Sequence, residues 1–199
     1  MTVRRLAKAA VLALLVTAPA WAQQQAVSPP SSQPAAPDSP QPLKPADAFG
    51  KDVTLPERQV IYIRGHARWD TAFETLLDAF ASLTAYIDKQ GVKTSGKPMT
   101  IYQQTDDSGF DFWAAYPIAE APKDPPKGDI AVGAAPSGRA LEFTHRGTYE
   151  ALDTTYEAIT NYLDSKQLDA KDNFIEEYAS GPLKPGDSDV VVNIYVPVK

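Results

Sequence analysis

Two glutamates and a group of large aromatic residues are the side chains of this sequence best suited to chemistry. Glu142 and Glu176 each lie in a segment that alternates apolar and polar residues, as half-buried strands do. Aromatic residues occupy alternating positions in the same and similar segments: Tyr62, Tyr102, Trp113, Tyr178 and Tyr195. Aromatic rings bind flat molecules by stacking and cations through their faces, and a carboxylate supplies the counter-charge. Together they predict a site for a hydrophobic or cationic organic ligand.

An internal duplication provides the elements that would position these residues. Trp69 opens one helical pattern and Tyr149 opens another, 80 residues later, whereas Tyr86 and Tyr162 near the two helix ends are 76 residues apart. The difference of four residues is about one helical turn. In each copy we expect a strand, a helix and two further strands, with the strands at residues 59–64, 99–104 and 110–118, then 140–145, 174–178 and 189–198.

Two such units predict an α+β fold of two layers, in which duplicated βαββ units form a largely antiparallel sheet with helices on one face. The aliphatic residues of each first strand, such as Ile61 and Leu141, suit the helix-covered face. The alternating pattern then assigns the two glutamates and all five aromatic residues to the uncovered face, where a cleft between the copies would bind the ligand. The same alternation predicts that Glu177 points toward the helices.

The N-terminal part of the chain predicts export. Residues 1–22 contain the basic residues Arg4, Arg5 and Lys8, a short apolar run and a small-residue ending at Ala22, which is the order of a secretory signal peptide. Residues 23–50 are rich in Pro, Gln, Ala and Ser and predict a disordered spacer. Residues 51–199 are then the ligand-binding domain, in the periplasm or secreted, without stable membrane insertion once the signal peptide is cleaved.

Composition excludes several other classes of function. The sequence has no cysteine and two histidines, which disfavours disulfides and zinc sites, and we expect neither a metal nor a cofactor. Loss of the three basic residues of the signal peptide takes the formal net charge from −6 to −9, which disfavours nucleic-acid binding. Because no long apolar stripe is evident, we expect a monomer.

The second copy resembles a known family. The resemblance rests on the runs His145-Arg146-Gly147-Thr148-Tyr149-Glu150, Tyr162-Leu163, Phe174-Ile175-Glu176-Glu177-Tyr178 and Ile194-Tyr195-Val196-Pro197-Val198, with Tyr156 and Pro182. These residues resemble the GyrI-like small-molecule-binding domain, which also forms the effector-binding part of AraC-type and multidrug-sensing MerR-type regulators. The resemblance implies a duplicated βαββ fold with a cleft whose acid, here Glu176, receives cationic or amphipathic compounds beside Tyr178.

The resemblance leaves two further functions open. Some GyrI-like proteins hydrolyse strained electrophilic compounds, and Glu176 would then act as a general base on water. A haem-binding relative of similar architecture implies a third function, with His66 or His145 as the axial ligand. The N-terminal region departs from the regulators, since an export signal and a spacer stand where they have DNA-binding helices. Transcriptional control and gyrase inhibition are therefore not expected.

Overall fold

The computed structural model describes residues 49–199, and both copies of the repeat fold in the expected order. The elements along the chain are β1 (Lys51–Leu55), β2 (Gln59–Arg68), α1 (Ala72–Gln90), β3 (Met99–Thr105), β4 (Gly109–Pro117), β5 (Ile130–Ala134), β6 (Gly138–Gly147), α2 (Leu152–Lys166), β7 (Phe174–Tyr178) and β8 (Val190–Pro197). Short 3₁₀ turns, Trp69–Thr71 and Tyr149–Ala151, precede the helices. Helix α1 has 19 residues and α2 has 15, which accounts for the four-residue drift between the copies.

The eight strands of residues 49–199 form one antiparallel sheet in the order β1-β6-β8-β7-β3-β4-β2-β5. The two copies meet at the centre, where Thr100 of β3 is the register partner of Glu176 of β7. These two residues also correspond in the internal alignment, so the pseudo-twofold axis passes between them. Both helices pack on the same core at one face of the sheet, and the predicted fold class is confirmed.

Helix α1 packs through residues spaced three and four apart: Leu76, Phe80, Leu83 and Ile87. It ends at Gly91, whose φ of 64° is left-handed and lets Val92 N–H donate back to the carbonyl of Ile87. The sequence Thr71-x-x-Glu74 matches a helix-capping pattern, but the cap is not formed. Thr71 follows a 3₁₀ turn with φ −124° and ψ 14°, and its side chain makes no capping hydrogen bond.

The strands β1 and β5, which the sequence patterns did not predict, are exchanged between the copies. β1 precedes the first copy but pairs with β6, and β5 precedes the second copy but pairs with β2. Leu55 pairs with Gly138 and Gln59 pairs with Ala134, so the register is the same on both sides of the connections between the strands. β1 followed by β2 therefore forms one long two-stranded ribbon with β5 followed by β6.

This ribbon forces the sheet to curl. β1 and β2 are six strands apart in the sheet order, which is about 29 Å in a flat sheet. The connection from Leu55 to Gln59 reaches at most about 14 Å. The curled sheet encloses a second apolar cluster on the face away from the helices, in which Met99, Ile101 and Ile175 are fully buried. The prediction that this face is simply uncovered is therefore wrong.

The first described residues pack on the second copy. The ring of Phe49 lies edge-on to Phe143 and Tyr162, and the Tyr162 hydroxyl donates to the carbonyl of Gly50. The folded part thus includes the last two residues of the predicted spacer, while the predicted signal peptide and the rest of the spacer lie outside the described residues. In the described part, no helix combines the length and apolarity needed to cross a membrane.

Candidate functional site

A cleft of about 580 Å³ opens between the N-terminal ends of the two helices. Its floor is the helix-facing side of the central strands, and its walls come from the two 3₁₀ turns and the first turns of α1 and α2. The repeat explains this placement, because corresponding ends of both copies converge next to the pseudo-twofold axis. The volume is in the range of sites for drug-sized molecules.

Glu176 lies at the floor of the cleft and is only 1 % exposed. Its two carboxylate oxygens accept hydrogen bonds from the hydroxyls of Tyr156, at 2.5 Å, and Tyr178, at 3.0 Å. The Tyr178 hydroxyl also lies 2.7 Å from Thr100 Oγ1. A buried carboxylate is thus held in a fixed orientation by donors from α2 and from its own strand.

Burial raises the pKa of Glu176, and the hydrogen bonds from Tyr156 and Tyr178 oppose that rise only in part. Burial, with the neighbouring carboxylate as a further cause, also raises the pKa of Tyr156 and Tyr178, so both hydroxyls remain protonated donors. Among the described residues, no basic side chain lines the cleft around Glu176. Within this part of the chain, the ionised carboxylate therefore has hydrogen-bond donors but no cation to neutralise it.

Aromatic rings surround the carboxylate. Tyr102 stacks on Phe174 with ring centroids 4.1 Å apart, and the Phe174 ring is met edge-on by Tyr156. Trp69, which is 49 % exposed at the rim, lies against Phe110, with centroids 4.8 Å apart. Phe73 of α1 and Tyr149 before α2 meet across the cleft. The rings provide flat apolar faces for a ligand on several sides of Glu176.

The charged residues described in the lining of the cleft are all negative. Among the described residues that line it, five are acidic and none is basic: Asp70, Glu74, Glu150, Asp153 and Glu176. The four at the rim are near helix N-termini, where carboxylates also stabilise the helix dipole. Asp70 is paired with the exposed Arg68. Even with that pair, the electrostatic field of the cleft favours a positively charged ligand.

Residues 53–199 match the sequence model of the GyrI-like small molecule binding domain. The chain belongs to this family. None of the curated proteins is similar enough to match the chain. GyrI-like domains bind small molecules, and among the described residues the cleft between the helices is the candidate pocket for such a ligand.

Solved structures with the same fold include proteins of several kinds. The regulator EcmrR in a complex with DNA has a TM-score of 0.63 at 18 % identity, and the match covers 75 % of this chain but only 57 % of EcmrR. SAV2435 bound to tetraphenylphosphonium has a TM-score of 0.54 at 15 % identity, over 75 % of this chain and 93 % of that one. A protein described as a hydrolase from Listeria innocua has a TM-score of 0.53 at 14 % identity, over 76 % of this chain and 92 % of that one. At these identities the likeness shows the fold alone.

The structure divides the predicted site residues of this GyrI-like domain between the two faces of the sheet. Glu176, Tyr102 and Tyr178 lie together on the helix side, and the first two line the cleft. The other four predicted residues lie on the face away from the helices: Tyr62, Trp113, Tyr195 and Glu142. The prediction that all seven share one uncovered face is therefore wrong.

The residues on the far face have partners of their own there. The ring of Tyr62 stacks on Trp113 with centroids 4.0 Å apart, and Glu142 is 3.8 Å from Lys51. Glu177, which was expected to face the helices, lies on this face too, where Arg58 contacts it at 3.2 Å. In β3 and β7 the two faces were predicted the wrong way round, because the aliphatic residues of these strands pack in the second apolar cluster and not under the helices.

Sequence reasoning missed most of the cleft walls. Tyr149, Tyr156 and Phe174 occur in the runs that carry the family resemblance, so a signal for them was present. Trp69, Phe73 and Phe110 had no such signal beyond the start of the helical pattern at Trp69. The two histidines do not line the cleft: His145 contacts Thr155 and the Thr148 carbonyl, and His66 contacts Asp111.

Proposed function

We propose that this protein captures lipophilic organic cations in the cleft between its two helices, with Glu176 as the counter-ion. The observation that carries the proposal is the buried carboxylate of Glu176, which is held by two tyrosine hydroxyls and has aromatic rings beside it. Within residues 49–199, no basic side chain lines the cleft. An ionised carboxylate in such surroundings is poorly solvated. A ligand cation that replaces water there gains both charge pairing and ring-face attraction.

The aromatic walls define the shape of ligand that fits. Phe174 and Tyr102 offer stacked faces at the floor, and Trp69 offers a partly exposed ring at the rim. A compound with several aromatic groups around a delocalised positive charge complements this arrangement. Tetraphenylphosphonium is such a compound, and its presence in the structure of SAV2435, which has the same fold, makes it a suitable probe here.

The affinity for tetraphenylphosphonium should fall as the pH is lowered. The probe carries a permanent charge, so only the protein titrates. Because burial raises the pKa of Glu176, protonation of this carboxyl begins at a higher pH than that of an ordinary glutamate, and the neutral acid no longer attracts the cation. Isothermal titration calorimetry between pH 8 and pH 4 should show a loss of roughly tenfold or more, equivalent to about 1.4 kcal/mol.

The Glu176→Gln variant is the control for this pH profile, since it lacks the titrating group and should bind weakly with a shallow pH dependence. A wild-type affinity that stays constant down to pH 4 would show that Glu176 is not the counter-ion. A decline seen equally in both proteins would assign the effect to the rim carboxylates instead.

The site of action in this proposal is outside the cytoplasm. Its support is the signal-peptide pattern of residues 1–22, followed by the proline-rich residues 23–50. We expect the protein expressed with its native N-terminus to be recovered from the periplasm or medium of a Gram-negative host, with Gln23 as its first residue. N-terminal sequencing or intact-mass measurement checks this, and full-length protein in the cytoplasmic fraction would contradict it.

A second function, hydrolysis of a strained electrophile, is favoured by one observation. Burial raises the pKa of Glu176 toward the range that suits a general base. Both oxygens of the carboxylate, however, already accept tyrosine hydroxyl hydrogen bonds, so a water to be activated would have to share one of them. Capture therefore agrees better with the geometry, and turnover of electrophilic substrates is the measurement that separates the two.

A further inference from the structure

The sheet has two edges of very different character. β1 at one edge begins with Lys51 and Asp52, and Asp52 pairs with Arg139 through two hydrogen bonds of 2.8 and 2.9 Å. β5 at the other edge is Ile130–Ala134, with the sequence Ile-Ala-Val-Gly-Ala and no charged residue. Charged side chains on an edge strand prevent pairing with another chain, and an uncharged edge lacks this protection.

The backbone groups that β5 turns outward can be identified from its pairing with β2. Arg64 N–H donates to the carbonyl of Asp129, and Ala135 N–H donates to the carbonyl of Arg58. In an antiparallel pair the N–H and C=O groups of every second residue form hydrogen bonds with the neighbouring strand. In β5 the backbone groups of the odd-numbered residues therefore point toward β2. Ile130, Val132 and Ala134 therefore direct their N–H and C=O groups away from the sheet, and no strand of residues 49–199 lies beside them.

This edge is complementary to itself. In an antiparallel pair of two β5 strands centred on Val132, that residue lies opposite Val132 of the partner subunit, and Ile130 lies opposite Ala134 of the partner subunit. All six outward groups of each strand then form hydrogen bonds, and no like charges oppose each other within the strands. The pairing is limited at both ends, because Gly128 has a left-handed φ of 73° and Pro136 has no N–H to donate.

We propose that two copies of this chain associate through β5, joining their sheets into one across a twofold axis at Val132. Such an isologous contact uses the same strand from both chains. The side chains of Ile130 and Val132 pack against the core on the helix side. The joined edge therefore connects the apolar layers of the two chains. The cleft is lined by other elements and is left open, so the inference does not depend on the proposed function.

A five-residue strand pair buries a small area, so the dimer should be weak and in exchange with the monomer. Sedimentation velocity of the purified full-length chain between about 5 µM and 1 mM should show the weight-average mass rising toward twice that of the monomer. Ala134→Lys adds a charge at an exposed position of β5 and should keep the protein monomeric over that range. Thr54→Lys adds the same charge to an exposed position of β1 and should leave the association unchanged.

A backbone measurement distinguishes this dimer from any other. Amide hydrogen exchange at Ile130, Val132 and Ala134 should slow at high protein concentration, whereas exchange along β1 should not change. The proposal is overturned if the wild-type chain remains monomeric at 1 mM, if the two lysine variants weaken association equally, or if dimerisation leaves the exchange of these three amides unaltered. The prediction of a monomer from the sequence rested on the absence of an apolar stripe and did not include β5.

Discussion

Replacing Glu176 with glutamine is expected to weaken the binding of tetraphenylphosphonium by roughly 10- to 100-fold, because removing one partner of a desolvated charge pair costs about 2 kcal/mol or more. The change keeps the shape of the side chain and an acceptor for one tyrosine hydroxyl. Binding of an uncharged aromatic compound such as triphenylphosphine oxide should be nearly unaffected, since the rings of the cleft are unchanged. Calorimetric titration of both ligands measures the difference.

The variant is not expected to unfold the protein. A raised pKa means that ionised Glu176 costs the fold free energy at pH values above that pKa, and this cost is relieved as the pH falls through it. Glutamine removes the cost at neutral pH. Thermal unfolding at pH 7 should therefore occur at a temperature no more than a few degrees below that of the wild type, so that lost binding is not a result of lost folding.

Glu142→Gln is a matched control, because Glu142 was also a predicted site residue but lies on the far face near Lys51. It should leave the affinity for tetraphenylphosphonium unchanged. An equal loss in both variants would mean that the effect is a general change of charge and would exclude the cleft as the site. Unchanged affinity in Glu176→Gln, with loss of turnover on an electrophilic substrate, would favour the hydrolase function.

Gly109→Ala is expected to reduce the free energy of unfolding by about 3 kcal/mol. A Cβ atom at this position would lie 2.1 Å from the carbonyl oxygen of Ala67 on the paired strand β2. Both groups belong to paired backbone, which cannot move apart without breaking the sheet. Urea denaturation followed by circular dichroism gives the change in free energy.

The same substitution should also affect ligand binding. Gly109 ends a turn in which Asp106 accepts hydrogen bonds from the backbone N–H groups of Ser108 and Gly109. The indole N–H of Trp69 donates to the carbonyl of Asp106, so this turn supports the rim of the cleft. We expect weaker binding of tetraphenylphosphonium in the fraction of protein that remains folded.

Gly91→Ala measures the cost of backbone strain alone, for comparison with the steric overlap caused by Gly109→Ala. Gly91 has a left-handed φ of 64°, but no atom lies within 4 Å of the Cβ that alanine would add. Alanine there should cost only about 1–2 kcal/mol, the penalty of the left-handed conformation. If Gly91→Ala and Gly109→Ala destabilise the protein equally, the overlap with Ala67 is not the cause.

Local patterns were sufficient to predict the elements of the repeat. Helix α1 has a clear local signature, because its core residues recur at helical spacing and Gly91 can adopt the left-handed conformation that ends it. β5 was missed, since a strand of alanine, glycine and two β-branched residues between loops has no alternating pattern. The long-range exchange of β1 and β5 has no local signature at all, because it depends on which strands meet in space.

The sequence by itself determined the duplication and the α+β architecture, and the family resemblance singled out Glu176 as the candidate acid. Only the tertiary structure decided on which face each site residue lies. Alternation along a strand separates two sides but does not say which of them the helices cover. In this protein the exchanged strands curl the sheet so that Ile101 and Ile175 are buried on the far side, and Tyr102 and Glu176 consequently face the cleft between the helices.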